Sequence, residues 1–98
     1  MNVTKKLDGS SLRVSIEGRV DTATSPQLDA ELMDSLDGIT TLILDFNDVE
    51  YISSAGLRVL LRTQKAMEGQ GEMKVTGANE TIMDIFDVTG FTSILTFA

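Results

Sequence analysis

The chain has no cysteine, no histidine and no tryptophan, and among its 98 residues it holds a single proline and a single tyrosine. Without Cys there are no disulfides, no thiolate nucleophile and no zinc-thiolate centre. Without His, the usual general base near neutral pH and the commonest metal ligand are missing. Most familiar catalytic constellations are closed by composition alone. Positive charge is also scarce: eight Lys and Arg stand against fifteen Asp and Glu, for a formal net charge of -7. Such a chain repels phosphate backbones and anionic lipid surfaces, and the linear sequence shows no basic stripe, so neither nucleic acid nor membrane is an expected partner. No apolar run approaches the roughly 20 residues of a membrane span. Lys5 and Lys6 near the start are not followed by a signal-like apolar segment. The expected location is the cytoplasm.

What is present is the composition of a folded domain: 42% hydrophobic and 23% charged residues. The length allows one core, so the expectation is a single domain over residues 1–98. With four Phe and Tyr51 as its only aromatics, that core must be mostly aliphatic.

"NVTKKL", "DGS" and "LRVSIEG" predict a hairpin, with Val14 and Ile16 alternating against Arg13, Ser15 and Glu17. A helix is predicted from Thr24 or Ser25, with Pro26 in its first turn, a stripe of Leu28, Leu32 and Leu36, and a stop at Gly38. Thr40 to Phe46 predicts a central strand, followed by "NDVEYI" as a loop. A second helix starts at Ser53 or Ser54, carries Leu57, Leu60, Leu61 and Met67, and ends near Gly69 and Gly71. "EMKVTG" is a short strand, Asn79 caps a last helix with Ile82, Ile85 and Phe86 that Gly90 ends, and "SILTF" is an extended segment or short helix. Alternation of strands and helices after a hairpin implies an α/β fold: one small mixed sheet, parallel where helices form the crossovers.

In such sheets functional groups collect where strand carboxyl ends meet helix amino ends, which is where "ISSAGLR" lies. A Ser there serves as a helix cap. Ala55 and Gly56 leave the turn without bulk, and a phosphate on a first-turn Ser meets unpaired amides and the positive end of the helix dipole. Asp45, Asp48 and Glu50 precede it closely in sequence, so added negative charge is expected to deepen a negative surface and expel a partner. Arg58, one turn after Ser54, can reach back to a phosphate, pair with an acidic group on a partner, or simply be solvated.

"GRVDTAT" (18–24), "LILDFNDVEYISSAGLRVLL" (42–61) and "VTGFTSIL" (88–95), in this order and spacing, resemble the STAS domain of bacterial anti-sigma factor antagonists, over essentially the whole chain. The resemblance implies a sheet with helices packed mainly on one face. It also implies partner switching: the unphosphorylated protein binds a serine kinase that doubles as an anti-sigma factor and so frees a sigma factor. ATP-dependent phosphorylation at the helix start breaks the complex, and a serine phosphatase reverses it. By position the acceptor is Ser54, with Ser53 as the alternative; sporulation-type members often carry Asp where this chain has Ser53. The implied partner-facing residues are Asp21, Thr22, Thr24, Ser53, Gly56 and Arg58, Asp21 having turn formation as its other reading. No cofactor is expected.

Asp45 and Asp48 are a weak two-carboxylate signal for magnesium, and no metal site is expected from them. "EGQGEM" lacks the spacing and Lys of a phosphate loop, and the methionines fall singly within separate elements as packing residues. A competing reading is an unphosphorylated STAS scaffold that senses a small ligand or assembles with other chains, with Ser54 only a cap. An enzyme is the weakest reading, because no nucleophile-base pair or ligand cluster assembles from these residues.

Overall fold

Strands β1 (Asn2–Asp8) and β2 (Ser11–Val20) form the antiparallel hairpin, turning through Gly9 at φ 61°. Only glycine enters that left-handed region without a steric penalty. The computed structural model describes residues 1–98, and from the hairpin onward every strand is laid down parallel to the last. Helix α1 (Ser25–Met33) carries the chain from β2 to β3 (Thr41–Ile52), and α2 (Ser54–Glu68) carries it to β4 (Glu72–Thr76). Helix α3 (Glu80–Val88) and a 3-10 turn at Phe91–Ser93 lead to β5 (Thr96–Phe97). The sheet order is β1-β2-β3-β4-β5. Crossovers of one hand, repeated in one direction, place all helices on the same side of the sheet.

Strand alternation then decides the core. Leu12, Val14 and Ile16 of β2, Leu42, Leu44 and Phe46 of β3, and Met73 and Val75 of β4 are buried beneath the helices. The opposite face carries Arg13, Glu17, Asp45 and Lys74 and is open to water. The helices answer with Leu28 and Leu32, with Leu57, Leu60 and Met67, and with Ile82 and Phe86. All four Phe gather at one end of this layer: Phe86 lies 6.2 Å from Phe46, 6.4 Å from Phe91 and 5.7 Å from Phe97, ring centre to ring centre. No helix is long and apolar enough to cross a membrane.

Two expectations are corrected. "NDVEYI" is not a loop: β3 continues to Ile52 because β2 goes on pairing with it, Glu17 with Asp48, Gly18 with Val49, Arg19 with Tyr51 and Val20 with Ile52. Two register shifts in this stretch absorb the extra residues as bulges and keep Val49 and Ile52 facing the core. Leu36 is likewise outside its helix, since α1 ends at Met33. Leu36 is still buried, in a turn whose Leu36 and Ile39 carbonyls both accept bonds from the Gln70 amide, at 2.6 and 2.7 Å.

That same corner sets a local limit on side-chain size. The Thr40 carbonyl accepts from Glu72 N at 3.0 Å, and a methyl group on Gly71 would fall on this carbonyl. Beside Gly69 the nearest atom to such a methyl is 4.0 Å away. Gly71→Ala should therefore destabilise the domain by about 1–3 kcal/mol, as overpacking does. Gly69→Ala should stay within about 0.5 kcal/mol of the parent. Urea unfolding of the two variants checks the contrast; equal midpoints would refute it.

Candidate functional site

Because β2 and β3 are parallel, their carboxyl ends emerge side by side. Ser53 N donates to the Val20 carbonyl at 2.8 Å, which ties the start of α2 to the end of β2. Gly56 makes the approach close enough: a Cβ there would lie 2.7 Å from Ile52 Cγ1, 2.8 Å from Val20 Cγ1 and 3.1 Å from the Val20 carbonyl. Gly56 is buried in this contact. Within the chain it is a packing residue, small because Val20 and Ile52 leave no room for a Cβ.

The cap of α2 is Ser53, whose backbone is extended (φ -93°, ψ 175°) and whose Oγ accepts from Gly56 N at 3.4 Å. Ser54 is the first helical residue and is exposed. The expectation that Ser54 serves as the cap is thus corrected: an N-cap needs non-helical dihedrals to aim its oxygen at the turn, and only Ser53 has them.

Across from this junction, the loop Asp21–Thr24 is built around one carboxylate. Asp21 Oδ1 accepts from Ala23 N at 3.0 Å and Thr24 N at 3.1 Å, while Asp21 N donates to Thr24 Oγ1 at 2.9 Å. Thr24 Oγ1 in turn donates to the Arg19 carbonyl at 2.8 Å. The hydrogen bond from the Thr24 amide, together with those of the Thr24 hydroxyl and the Ala23 amide and the nearby Arg19, holds the Asp21 carboxyl below its ordinary value despite some desolvation. Asp21 therefore makes the turn. Its Oδ2 lies 3.8 Å from Arg19 Nε on a partly exposed side chain, and Arg19 also lies 4.6 Å over the ring of Tyr51. Thr22 is exposed, whereas the Thr24 hydroxyl is committed to the backbone.

Arg58 is exposed and makes no ion pair. The acidic residues before the junction are not gathered beneath it. Asp45 lies on the open sheet face and pairs with Ser15, five β2 residues before the Val20–Ile52 pair that leads into Ser54, a separation on the order of 15 Å at about 3.3 Å per strand residue. Partial burial works against ionisation of Asp45, but bonds from Asn47 and Arg13 outweigh it and hold its carboxyl below the usual value. Arg13 pairs with Asp45 at 2.9 Å, and Asn47 N donates to its other oxygen at 2.9 Å. Both oxygens are thereby engaged, and Asp48 and Glu50 are spread along the strand. Sequence reasoning missed a groove between α1 and α2, lined by Thr22, Pro26, Asp29, Ala55, Arg58 and Arg62 among others. It is made by residues far apart in the chain, and no local signal marks it.

A family model described as STAS domain matches residues 2–98. The chain is 38% identical over 95 residues to a protein of Bordetella bronchiseptica named as an anti-sigma factor antagonist, BtrV, covering 95% of this chain and 81% of that one. It is 30% identical over 96 residues to the anti-sigma-B factor antagonist of Bacillus subtilis, covering 97% and 88%. Its fold is similar to that of the anti-sigma factor antagonist SpoIIAA in its unphosphorylated form, with a TM-score of 0.78 at 15% identity over 99% of this chain and 87% of that one. The Bacillus SpoIIAA in the phosphorylated form gives a TM-score of 0.76 at 17% identity, over 99% and 91%.

The division of roles at the junction has a measurable consequence. Ser53→Ala should lower stability by about 0.5–1 kcal/mol, the low end of the capping range given its long bond. Ser54→Ala should stay within about 0.5 kcal/mol of the parent. Reversal of that order in urea unfolding would return the cap to Ser54.

The Asp21 turn predicts a pH dependence. A carboxyl whose folded value is depressed adds stability above its unfolded value, about 3.9, and loses it as pH falls through the folded value. The stability gap between parent and Asp21→Asn should be full at neutral pH and close below pH of about 4. Urea titrations from pH 7 to pH 2 read the gap, and one that does not vary with pH would refute it.

Proposed function

The chain belongs to the STAS domain family, with anti-sigma factor antagonists among its relatives, and from that premise we propose that it is a partner-switching regulator. In its unphosphorylated form it binds a serine kinase that doubles as an anti-sigma factor, and so frees a sigma factor for transcription. The kinase transfers the terminal phosphoryl group of ATP to Ser54 Oγ, releasing ADP and taking up the hydroxyl proton. A serine phosphatase returns the hydroxyl by hydrolysis. The chain itself supplies no catalytic group, and the role places it in the cytoplasm.

One observation carries this reading: Ser53 takes the cap, so Ser54 presents an exposed hydroxyl in the first turn of α2. A phosphate of about -1.5 to -2 charge can be added there without removing a capping bond, and the helix dipole favours it at that end. Asp21 Oδ2, Thr22, Ser53 and Arg58 surround the same end of the sheet and form the partner-facing surface, with Ser53 as the alternative acceptor. Thr24 acts there by holding the Asp21 loop rather than by contact. The relatives support the reading, since each is named for antagonism of an anti-sigma factor and SpoIIAA exists in phosphorylated and unphosphorylated forms.

Wild type, Ser54→Ala and Ser54→Asp should be used as parallel baits in lysate of the source organism. Wild type and Ser54→Ala are expected to retain a serine kinase that Ser54→Asp loses. That kinase with ATP should place phosphate on Ser54 of the wild type and none on Ser54→Ala, as read by mass spectrometry. Three folded baits that retain the same proteins, with no phosphate acquired, would favour the scaffold reading.

A further inference from the structure

The linear sequence shows no basic stripe, but the fold makes a short one. Arg58, Arg62 and Lys65 are spaced by four and three residues on α2 and are all exposed, so they share one outward face. They are three of the eight cations of a chain with net charge -7, and Glu68 is the only acid on the helix. Arg62 is partly committed, to Asp29 of α1 at 2.9 Å, while Arg58 and Lys65 make no ion pair. Beside the stripe runs the α1–α2 groove, of about 380 Å³, with Pro26, Ala55 and the buried Val59 supplying apolar surface and Arg58 and Arg62 at its edge.

We propose that this groove docks an acidic amphipathic helix of the partner protein, with an apolar side chain in the groove and carboxylates one turn apart on Arg58 and the Arg62–Lys65 pair. The spacing fits: at about 1.5 Å per residue the four residues from Arg58 to Arg62 advance about 6 Å, as do two carboxylates four residues apart on a partner helix. The chemistry selects a protein segment over a continuous polyanion. Asp29 stands in the groove wall and the rest of the chain is acidic, so a phosphate backbone running through would meet repulsion, whereas a helix presents discrete carboxylates around an apolar residue.

The inference rests on the partner-switching reading for the partner's identity, and it gives that switch a mechanism. Ser54 lies one turn before Arg58. A phosphate there competes for Arg58 and repels the carboxylate docked on it, so one modification removes an attraction and adds a repulsion. The acids of β3, which lie along the strand, are not needed for the effect.

The test uses the full chain in cells of the source organism. A photo-crosslinking benzoylphenylalanine is placed at Ala30, exposed one turn after Pro26, and at Thr4 on the open sheet face as control. The expected adduct forms from position 30, on a segment with Asp or Glu three or four residues apart. Arg58→Glu should reduce its yield about tenfold or more, the scale of a lost charge contact at an interface. Changing the contacted acid of the partner to Arg should restore it.

An adduct on a segment without acidic residues, on nucleic acid, or from position 4 alone overturns the docking inference, as does an Arg58→Glu yield equal to the parent's or no adduct at all. The functional reading is judged separately, by which protein is joined. A kinase held through another face leaves partner switching intact and ends the groove proposal. An acidic segment on a protein that is not a kinase does the reverse.

Discussion

Val20 and Ile52 pair at the carboxyl ends of two parallel strands, and everything at this end of the molecule depends on that pairing. It brings the Asp21–Thr24 loop and the Ser53–Gly56 turn, some thirty residues apart in sequence, to one edge of the sheet. The contact between them has no slack, since Gly56 fits against Val20 and Ile52 only because it lacks a Cβ. A one-residue slip in the strand pair would turn Val20 or Ile52 from the core to the open face. The two bulges between Ser15 and Arg19 are what preserve the facing to the last pair.

From that anchor the chemistry at the junction separates into two residues. Ser53 closes the helix, worth about 1 kcal/mol for a typical cap, and does so with an oxygen that a modification at the next residue leaves in place. Ser54 has helical dihedrals and an outward side chain, so its state can change the charge of the surface without changing the fold. A switch built on a cap would couple signalling to helix stability. One built a residue later couples it to electrostatics, which reach a partner through a Debye length of about 8–10 Å and leave the core unaffected.

The hairpin, the three helices and the central strands were legible because their signals are local: alternation in "LRVSIEG", Pro26 in a first turn, Asn79 three residues before the Ile82 amide it caps. What was not legible is non-local. "NDVEYI" contains Asn, Asp and Glu, which disfavour strands, yet it is held as strand by β2 across two bulges. Leu36 keeps its buried place through Gln70, which the sequence puts thirty-four positions away. The family pattern located Ser53 and Ser54, but only the dihedrals distinguished cap from free hydroxyl. The sequence marked Gly56 as small, but that Val20 is what it must fit against depends on a strand pairing more than thirty residues apart in the chain.

The charge of the chain shows the same separation between what is summed and what is placed. A net -7 describes the average surface and argues against phosphate backbones. It says nothing of one helix face, because an α-helix collects residues four and three apart that a linear scan reads as isolated. Arg58, Arg62 and Lys65 become neighbours only through that periodicity, and they become distinctive only because the surrounding surface is acidic. A small cationic patch on an anionic protein selects partners doubly: the patch attracts a local cluster of carboxylates, while the rest of the surface repels an extended one. A phosphate added one turn from such a patch changes the balance at the place where it is set.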